Sequence, residues 1–100
     1  MKIVIPFKDQ FERDMLDGRK TCTSRTKIYG AVGDEFEIFG AIFKLVTVIR
    51  IRLSDVVRYY YSAEGFDTPR EFVKCWESIH HVSGYRPMQM IWLHQFERIS

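Results

Sequence analysis

The chain has 100 residues, enough for one domain with a modest hydrophobic core. Its net charge of +2 is too small for tight non-specific binding to nucleic acids, which depends on many phosphate contacts. Two cysteines are too few for a disulfide framework, and no apolar run approaches the roughly 18 residues of a membrane span. We therefore expect a single soluble domain over residues 1–100, without a secretory signal, in the cytoplasm with reduced thiols.

The N-terminal quarter predicts a short strand followed by a helix. The apolar residues 4–7 favour the strand, and Asp9 with Glu12 resembles a capping box at the start of the helix. Gly18 stands where a glycine commonly ends a helix, so we expect the helix to end at about Asp17. Apolar side chains recur at spacings of four along it: Phe7, Phe11 and Met15.

Four later segments have the composition of strands. Residues 20–26 are rich in Thr and Ser, which indicates a strand or an extended loop, and residues 35–39 alternate polar with apolar side chains. Residues 41–52 form the longest candidate and are dense in β-branched side chains. Because the first half of this segment is apolar on both faces, we expect a central strand. Residues 90–96 alternate and predict a closing strand.

Two helices are expected between the last two strands. Ser54 is a suitable N-cap for a helix that runs to about Ala63. The run Thr68-Pro69-Arg70-Glu71 combines an N-cap, a first-turn proline and a third-position glutamate, and predicts a helix that ends before Gly84. Clustered strands with short connections indicate an α+β fold rather than a parallel βαβ sheet. A largely antiparallel sheet that closes toward a barrel would protect its edges.

A chemically suggestive group lies between residues 18 and 25. A threonine hydroxyl is a poor nucleophile until a neighbouring base takes its proton, and a lysine held neutral by burial and a nearby cation can be that base. Lys20, Thr23 and Arg25 supply these groups. In a regular strand Lys20 and Thr23 would point to opposite faces, so they cooperate only if Lys20 lies in the turn after Gly18. Thr21, Thr23 and Arg25 would then share one face; alone, such an edge strand is more often simply solvated.

Residues 18–25, Gly-Arg-Lys-Thr-Cys-Thr-Ser-Arg, resemble the signature segment of the ASCH domain superfamily, which is related to RNA-binding PUA domains. The common pattern is glycine, any residue, lysine, two of any, glutamate, any residue, arginine. Gly18, Lys20 and Arg25 match it, whereas Thr23 replaces the glutamate. That replacement is similar to the bacterial branch of N4-acetylcytidine amidohydrolases. The resemblance extends over nearly the whole chain and implies a PUA-like, mostly antiparallel β-barrel flanked by about three helices.

The resemblance also implies a catalytic set of lysine, threonine and glutamate. Carried over by motif, Lys20 is the base, Thr23 the nucleophile and Glu64 the third member, which positions Lys20 or holds the edge of the base. Thr23 would attack the acetyl carbonyl on the exocyclic nitrogen of cytidine, and Lys20 would pass the proton to the leaving amine. Arg25 or backbone N–H groups would stabilise the oxyanion. No metal and no cofactor are implied.

Four residues are further candidates for binding the substrate. Arg25 and Thr21 belong to the signature segment, Tyr61 belongs to a run of three tyrosines, and His94 lies between two aromatic side chains on one face of its strand. Ordinary packing is the alternative for Tyr61, and a place in the core is the alternative for His94.

The expected partner is a nucleoside or a small amide, with no membrane contact. The alternative is a non-catalytic RNA-binding module, or an RNA-cleaving ASCH protein, which would use Arg50, Arg52, Arg58 and the tyrosines. The sequence leaves the oligomeric state open between a monomer and a weak dimer.

Overall fold

A five-stranded sheet organises the chain, which a computed structural model describes over residues 1–100. The strand order is β1-β3-β4-β5-β2; β1 and β3 are parallel, and every other neighbouring pair is antiparallel. A single 3₁₀ turn, Asp9–Phe11, precedes the first helix. The α+β class, the mostly antiparallel sheet and the three helices are as predicted. The elements are β1 (Lys2–Ile3), α1 (Glu12–Leu16), β2 (Cys22–Arg25), β3 (Glu35–Ile38), β4 (Ala41–Arg52), α2 (Leu53–Tyr59), α3 (Pro69–Ile79) and β5 (Met90–Arg98).

The predicted closure into a barrel is wrong, because the sheet is open between β1 and β2. Its edge strands, β1 and β2, have only two and four residues, and they pair with β3 and β5, respectively, but not with each other. A side chain joins the two edges instead: Arg25 Nη2 of β2 donates a hydrogen bond of 2.5 Å to the carbonyl oxygen of Pro6, which follows β1. Both Pro6 and Arg25 line a cavity at this opening of the sheet.

Two hydrophobic cores lie on opposite faces of the sheet. The longest strand, β4, provides three buried residues of the first core, and its Ile51 packs against the second core, because a bulge between Leu45 and Thr47 shifts the alternation by one residue. The first core contains Ile5, Met15, Phe36, Ala41, Phe43, Leu45 and Phe96. The second contains Cys22, Leu53, Val56, Phe72, Trp76, Ile91 and Leu93. The helix α3 packs in the second core through Phe72 and Trp76, and it also forms one wall of a cavity.

The helices follow local sequence signals to different degrees. The side chain of Thr68 accepts a hydrogen bond from the backbone N–H of Glu71, and Pro69 begins α3, as predicted. In contrast, no side chain caps α1 or α2, and α2 begins at Leu53 rather than after Ser54. The longest helix has 11 residues, and no helix is both long and apolar enough to cross a membrane.

Candidate active site

The turn between α1 and β2 places Lys20 ahead of the strand. Gly18 has a φ of +78°, a conformation that glycine adopts without steric cost. The backbone N–H groups of Arg19 and Lys20 both donate to the carbonyl oxygen of Asp14, at 2.9 Å each, which closes the turn. The strand then begins at Cys22. The condition for Lys20 and Thr23 to share one site is therefore met.

Lys20, Thr23 and Glu64 line the same cavity of about 290 Å³. The cavity lies between β2, the segment around residues 6–11 and α3. The three side chains belong to residues that are only 3%, 4% and 3% exposed, respectively, so they form its buried floor. Aromatic side chains supply much of the remaining wall: Phe7, Phe11, Tyr29, Phe66, Phe72 and Trp76.

Lys20 and Glu64 form a buried ion pair. The Lys20 Nζ lies 3.2 Å from Glu64 Oε1 and 2.9 Å from the Glu64 carbonyl oxygen, and it lies 4.6 Å from the centroid of the Phe11 ring. The second carboxylate oxygen, Oε2, accepts a hydrogen bond of 2.5 Å from Ser24 Oγ. These are the contacts of an ammonium ion that faces a carboxylate whose two oxygens each accept one hydrogen bond. Lys20 makes no hydrogen bond to Thr23.

The loop after α2 brings Glu64 to this position. Its backbone N–H donates to the carbonyl oxygen of Tyr60 at 2.9 Å, which continues the helical turn past the end of α2. The carbonyl oxygen of Ala63 accepts from Thr21 at 2.7 Å and from Cys22 at 3.3 Å. The loop is thus attached by its backbone to the start of β2, so that Glu64 and Lys20 meet although they are far apart in sequence.

Arg25 contacts the Thr23 hydroxyl directly. Its Nε donates a hydrogen bond of 3.0 Å to Thr23 Oγ1, and its guanidinium carbon lies 4.9 Å from the Phe7 ring centroid and 5.3 Å from that of Tyr29. Burial lowers the pKa of the Arg25 guanidinium, and Tyr29 opposes this change, so the group stays protonated. Because Arg25 occupies one lone pair of Oγ1, the hydroxyl proton of Thr23 is free to serve another acceptor.

Three of the sequence-based site residues do not line the cavity: Thr21, Tyr61 and His94. Thr21 is exposed on the strand edge, and Tyr61 packs against the second core. His94 is fully buried, because its strand is covered on that face by the first core. The alternatives of ordinary packing for Tyr61 and of a core position for His94 therefore fit the structure.

His94 has a supporting position rather than a substrate-facing one. Its Nε2 accepts a hydrogen bond of 3.1 Å from the backbone N–H of Tyr29, so the ring proton lies on Nδ1, which donates to the Trp92 carbonyl oxygen at 3.1 Å. Burial lowers the pKa of His94, in agreement with a neutral ring. The ring thereby holds Tyr29, which in turn flanks Arg25.

Sequence reasoning missed the contribution of α3 and of Ser24. The face of α3 that packs in the second core through Phe72 and Trp76 also forms a wall of the cavity, with Cys75, Ile79 and His80. The spacing of these residues at one helical period was the available signal. Burial raises the pKa of both thiols, Cys22 and Cys75, which leaves hydroxyl groups as the nucleophiles in reach of the cavity.

The fold of the chain is similar to that of several solved structures. No family profile matches the chain, and no curated protein matches its sequence. Three solved structures are similar over most of the chain. The ASCH domain from Lactobacillus crispatus JV V101 has a TM-score of 0.70 and 11% identity, over 97% of this chain and 77% of that one.

The other two structures agree with the first. Protein EF3133 from Enterococcus faecalis V583, of the DUF984 family, has a TM-score of 0.65 and 18% identity over 90% of this chain and 70% of its own. Hypothetical protein PH0355 has a TM-score of 0.71 and 14% identity over 93% and 94%, respectively. The chain therefore has the fold of an ASCH domain, as its signature segment implied.

Proposed function

We propose that the chain is a hydrolase that removes the acetyl group from N4-acetylcytidine, or the acyl group from a related nucleoside or small amide. The observation that carries the proposal is the convergence of buried Lys20, Thr23 and Glu64 on the floor of one cavity. Burying an ion pair has a desolvation cost that a surface location would avoid. A buried pair in a cleft beside a hydroxyl nucleophile is the arrangement expected of a catalytic site.

The proposed reaction proceeds through an acyl-enzyme. Lys20 first gives a proton to Glu64 across their 3.2 Å contact and becomes a neutral amine. Lys20 then takes the hydroxyl proton of Thr23 while Oγ1 forms a bond to the acetyl carbonyl carbon. The bond from this carbon to N4 breaks as Lys20 donates that proton to the leaving nitrogen. Lys20, again neutral, then takes a proton from a water molecule that attacks the acetyl-threonine ester, and it passes this proton to Oγ1 as the ester bond breaks. Acetic acid leaves and ionises to acetate. Glu64 finally returns its proton to Lys20, which restores the ion pair and Thr23.

The resting contacts of Lys20 fit this scheme as a starting state. Lys20 is hydrogen-bonded to Glu64 and not to Thr23, so the base must approach the nucleophile when the substrate binds. Catalytic hydrogen bonds often tighten only in the complex with substrate. Glu64 has a positioning role here as well as a proton-accepting one, because Ser24 anchors its other oxygen.

Arg25 is the proposed donor to the oxyanion. It already donates from Nε to Thr23 Oγ1 and from Nη2 to Pro6, which leaves further N–H groups beside the nucleophile. The carbonyl oxygen of a substrate attacked by Oγ1 would develop its negative charge close to this cation. Preorganised donors of this kind contribute a large share of catalysis in acyl transfer.

The shape of the cavity favours a small, flat substrate. Its volume of about 290 Å³ lies just below the range of roughly 300–1,000 Å³ typical of small-molecule pockets. Phe7, Phe11 and Phe66 line it with aromatic surface, which suits a nucleobase. An acylated cytosine is small and flat enough for this cavity, and its amide is the bond that the side chains of the floor would hydrolyse.

The direct test is incubation of the purified protein with N4-acetylcytidine, with cytidine and acetate measured by chromatography. Thr23→Val, which removes the hydroxyl at nearly constant volume, should abolish turnover. Thr21→Val is the matched control, since Thr21 lies two residues away but outside the cavity, and it should keep turnover. Absence of turnover in the unmodified protein at high concentration would rule the proposal out.

RNA binding is the second candidate, and two cation–aromatic pairs favour it. The guanidinium carbon of Arg50 lies 5.6 Å from the ring of Trp92, and that of Arg58 lies 5.4 Å from the ring of Tyr59. Such pairs can stack on exposed bases. A surface of this kind does not account for the buried floor of the cavity. Binding to structured RNA that falls steeply with salt and weakens in Arg50→Gln would support it.

A further inference from the structure

The lining of the cavity carries more positive than negative charge. The lining contains four cationic side chains but a single carboxylate, that of Glu64. The salt bridge to Glu64 compensates Lys20. No other cation of the lining has a salt bridge, which leaves three positive charges without a partner: Lys8, Arg25 and Lys27.

These cations are arranged by depth. Arg25 is half-buried and bonded to the Thr23 hydroxyl, so it belongs to the reacting end of the cavity. Lys8 and Lys27 are exposed and lie at the rim. The Lys27 Nζ lies 4.9 Å from the centroid of the Tyr29 ring, a cation–aromatic contact that keeps this side chain beside the mouth.

We propose that Lys8 and Lys27 form a phosphate subsite, and that the substrate carries a phosphate on its ribose. This inference rests on the proposed function. If the acylated base occupies the small floor beside Thr23, the ribose and its substituents lie at the mouth. A free nucleoside has no charge there to meet two exposed ammonium groups, whereas a phosphate does. The phosphate belongs either to a free nucleotide or to an RNA strand.

The experiment compares kcat/KM for three substrates: N4-acetylcytidine, its 5′-monophosphate, and a single-stranded trinucleotide with N4-acetylcytidine in the middle. We expect about a tenfold preference for phosphate over the free nucleoside, the sum of two exposed charge contacts. High salt should remove the preference because exposed charges are screened. Whichever phosphorylated substrate is preferred identifies the source of the phosphate.

Charge-matched variants assign the effect to the rim. The double variant Lys8→Gln/Lys27→Gln should reduce the preference for phosphate to less than about twofold. Lys44→Gln/Lys74→Gln makes the same charge change at exposed lysines outside the cavity and should leave the preference intact. Equal kcat/KM with and without phosphate, or a preference that survives the rim substitutions, would overturn the subsite while leaving the hydrolase intact.

Binding of the products separates the two proposals. Calorimetry with cytidine 5′-monophosphate and cytidine requires no turnover. If no substrate is hydrolysed, the proposed function fails, yet tighter binding of the monophosphate that depends on Lys8 and Lys27 still supports the subsite. Equal dissociation constants for the two ligands, or no detectable binding of either, would overturn it.

Discussion

The Lys20 ammonium and the Glu64 carboxylate form a 3.2 Å salt bridge whose side chains are only 2% and 5% exposed. Removing two charges from water is costly, and their attraction repays this cost only when further hydrogen bonds satisfy both groups. Ser24 and the Glu64 carbonyl oxygen provide these bonds. The pair is therefore a poor source of stability by itself, but each partner depends strongly on the other.

Removing one member of the pair should destabilise the fold severely. Lys20→Met leaves the Glu64 carboxylate buried without its cation, and we expect the free energy of unfolding to fall by about 3–5 kcal/mol. The double variant Lys20→Met/Glu64→Leu should recover most of this loss, whereas turnover stays absent in both. Urea unfolding measures the stability.

An exposed pair supplies the control for this comparison. Arg19 and Asp67 also form a salt bridge, but their side chains are 44% and 71% exposed. Arg19→Gln should change the free energy of unfolding by less than about 1 kcal/mol. A double variant no more stable than Lys20→Met would contradict the interpretation of the buried pair.

Substituting Arg25 by lysine should separate charge from geometry. Lysine keeps a positive charge but lacks the planar fork that reaches both Thr23 Oγ1 and the Pro6 carbonyl oxygen. We expect kcat for the acylated nucleoside to fall by about a hundredfold or more, the typical cost of losing an oxyanion donor. Steady-state kinetics measure this effect, and Arg50→Lys, outside the cavity, is the control. Unchanged kcat in Arg25→Lys would remove Arg25 from the mechanism.

The stability of the protein should fall on acidification because of His94. Burial lowers the pKa of His94 in the folded state, whereas in the unfolded chain its pKa is about 6.5. Between these two values the unfolded state binds a proton that the folded state does not, so the free energy of unfolding decreases as the pH falls from about 7 toward the folded pKa. Protonation of His94 Nε2 would also break the hydrogen bond that this atom accepts from the Tyr29 backbone, because two N–H groups would then face each other.

Urea unfolding between about pH 5 and 8 tests the role of His94. The His94→Gln variant should show a flatter dependence on pH than the unmodified protein. Burial also lowers the pKa of His80, so His80→Gln is the comparison that isolates the share of each ring. An unchanged slope in His94→Gln would show that the ring is not the acid-sensitive group.

Helices and strands were predicted best where the residues that determine them lie within the same segment of sequence. The bounds of β4 at Ala41–Arg52 agree with its run of β-branched residues, and Thr68 with Pro69 begins α3 as expected. The open sheet was not predictable, because it depends on how few residues β1 and β2 contribute to pairing and on the contact between Arg25 and Pro6. Those are properties of the assembled fold.

The site shows the same division. The family resemblance predicted Lys20, Thr23 and Glu64 as the site, and all three line one cavity. The alternation of β5 put His94 on the face of two aromatic residues, but alternation does not distinguish a core from a cavity wall. The hydrogen bond from Ser24 to Glu64 was likewise invisible, because it joins residues 40 positions apart in sequence.

Gly65 should prove necessary for the position of Lys20. It has a φ of +101°, and a Cβ built on it would lie 3.3 Å from the Cβ of Lys20, so the lysine or the loop must shift by a few tenths of an ångström to admit a methyl group. Gly65→Ala should therefore lower the free energy of unfolding by about 1–3 kcal/mol and reduce turnover.

The control variant is Gly33→Ala. Gly33 has a similar φ of +96°, so alanine is equally strained there, but a Cβ on Gly33 would meet nothing within 4 Å. We expect Gly33→Ala to lower the free energy of unfolding but to keep turnover, because its strain lies away from the ion pair. Urea unfolding measures the stability, and kcat/KM measures the turnover. An equal loss of turnover in the two variants would show that Gly65→Ala does not lower turnover through its contact with Lys20.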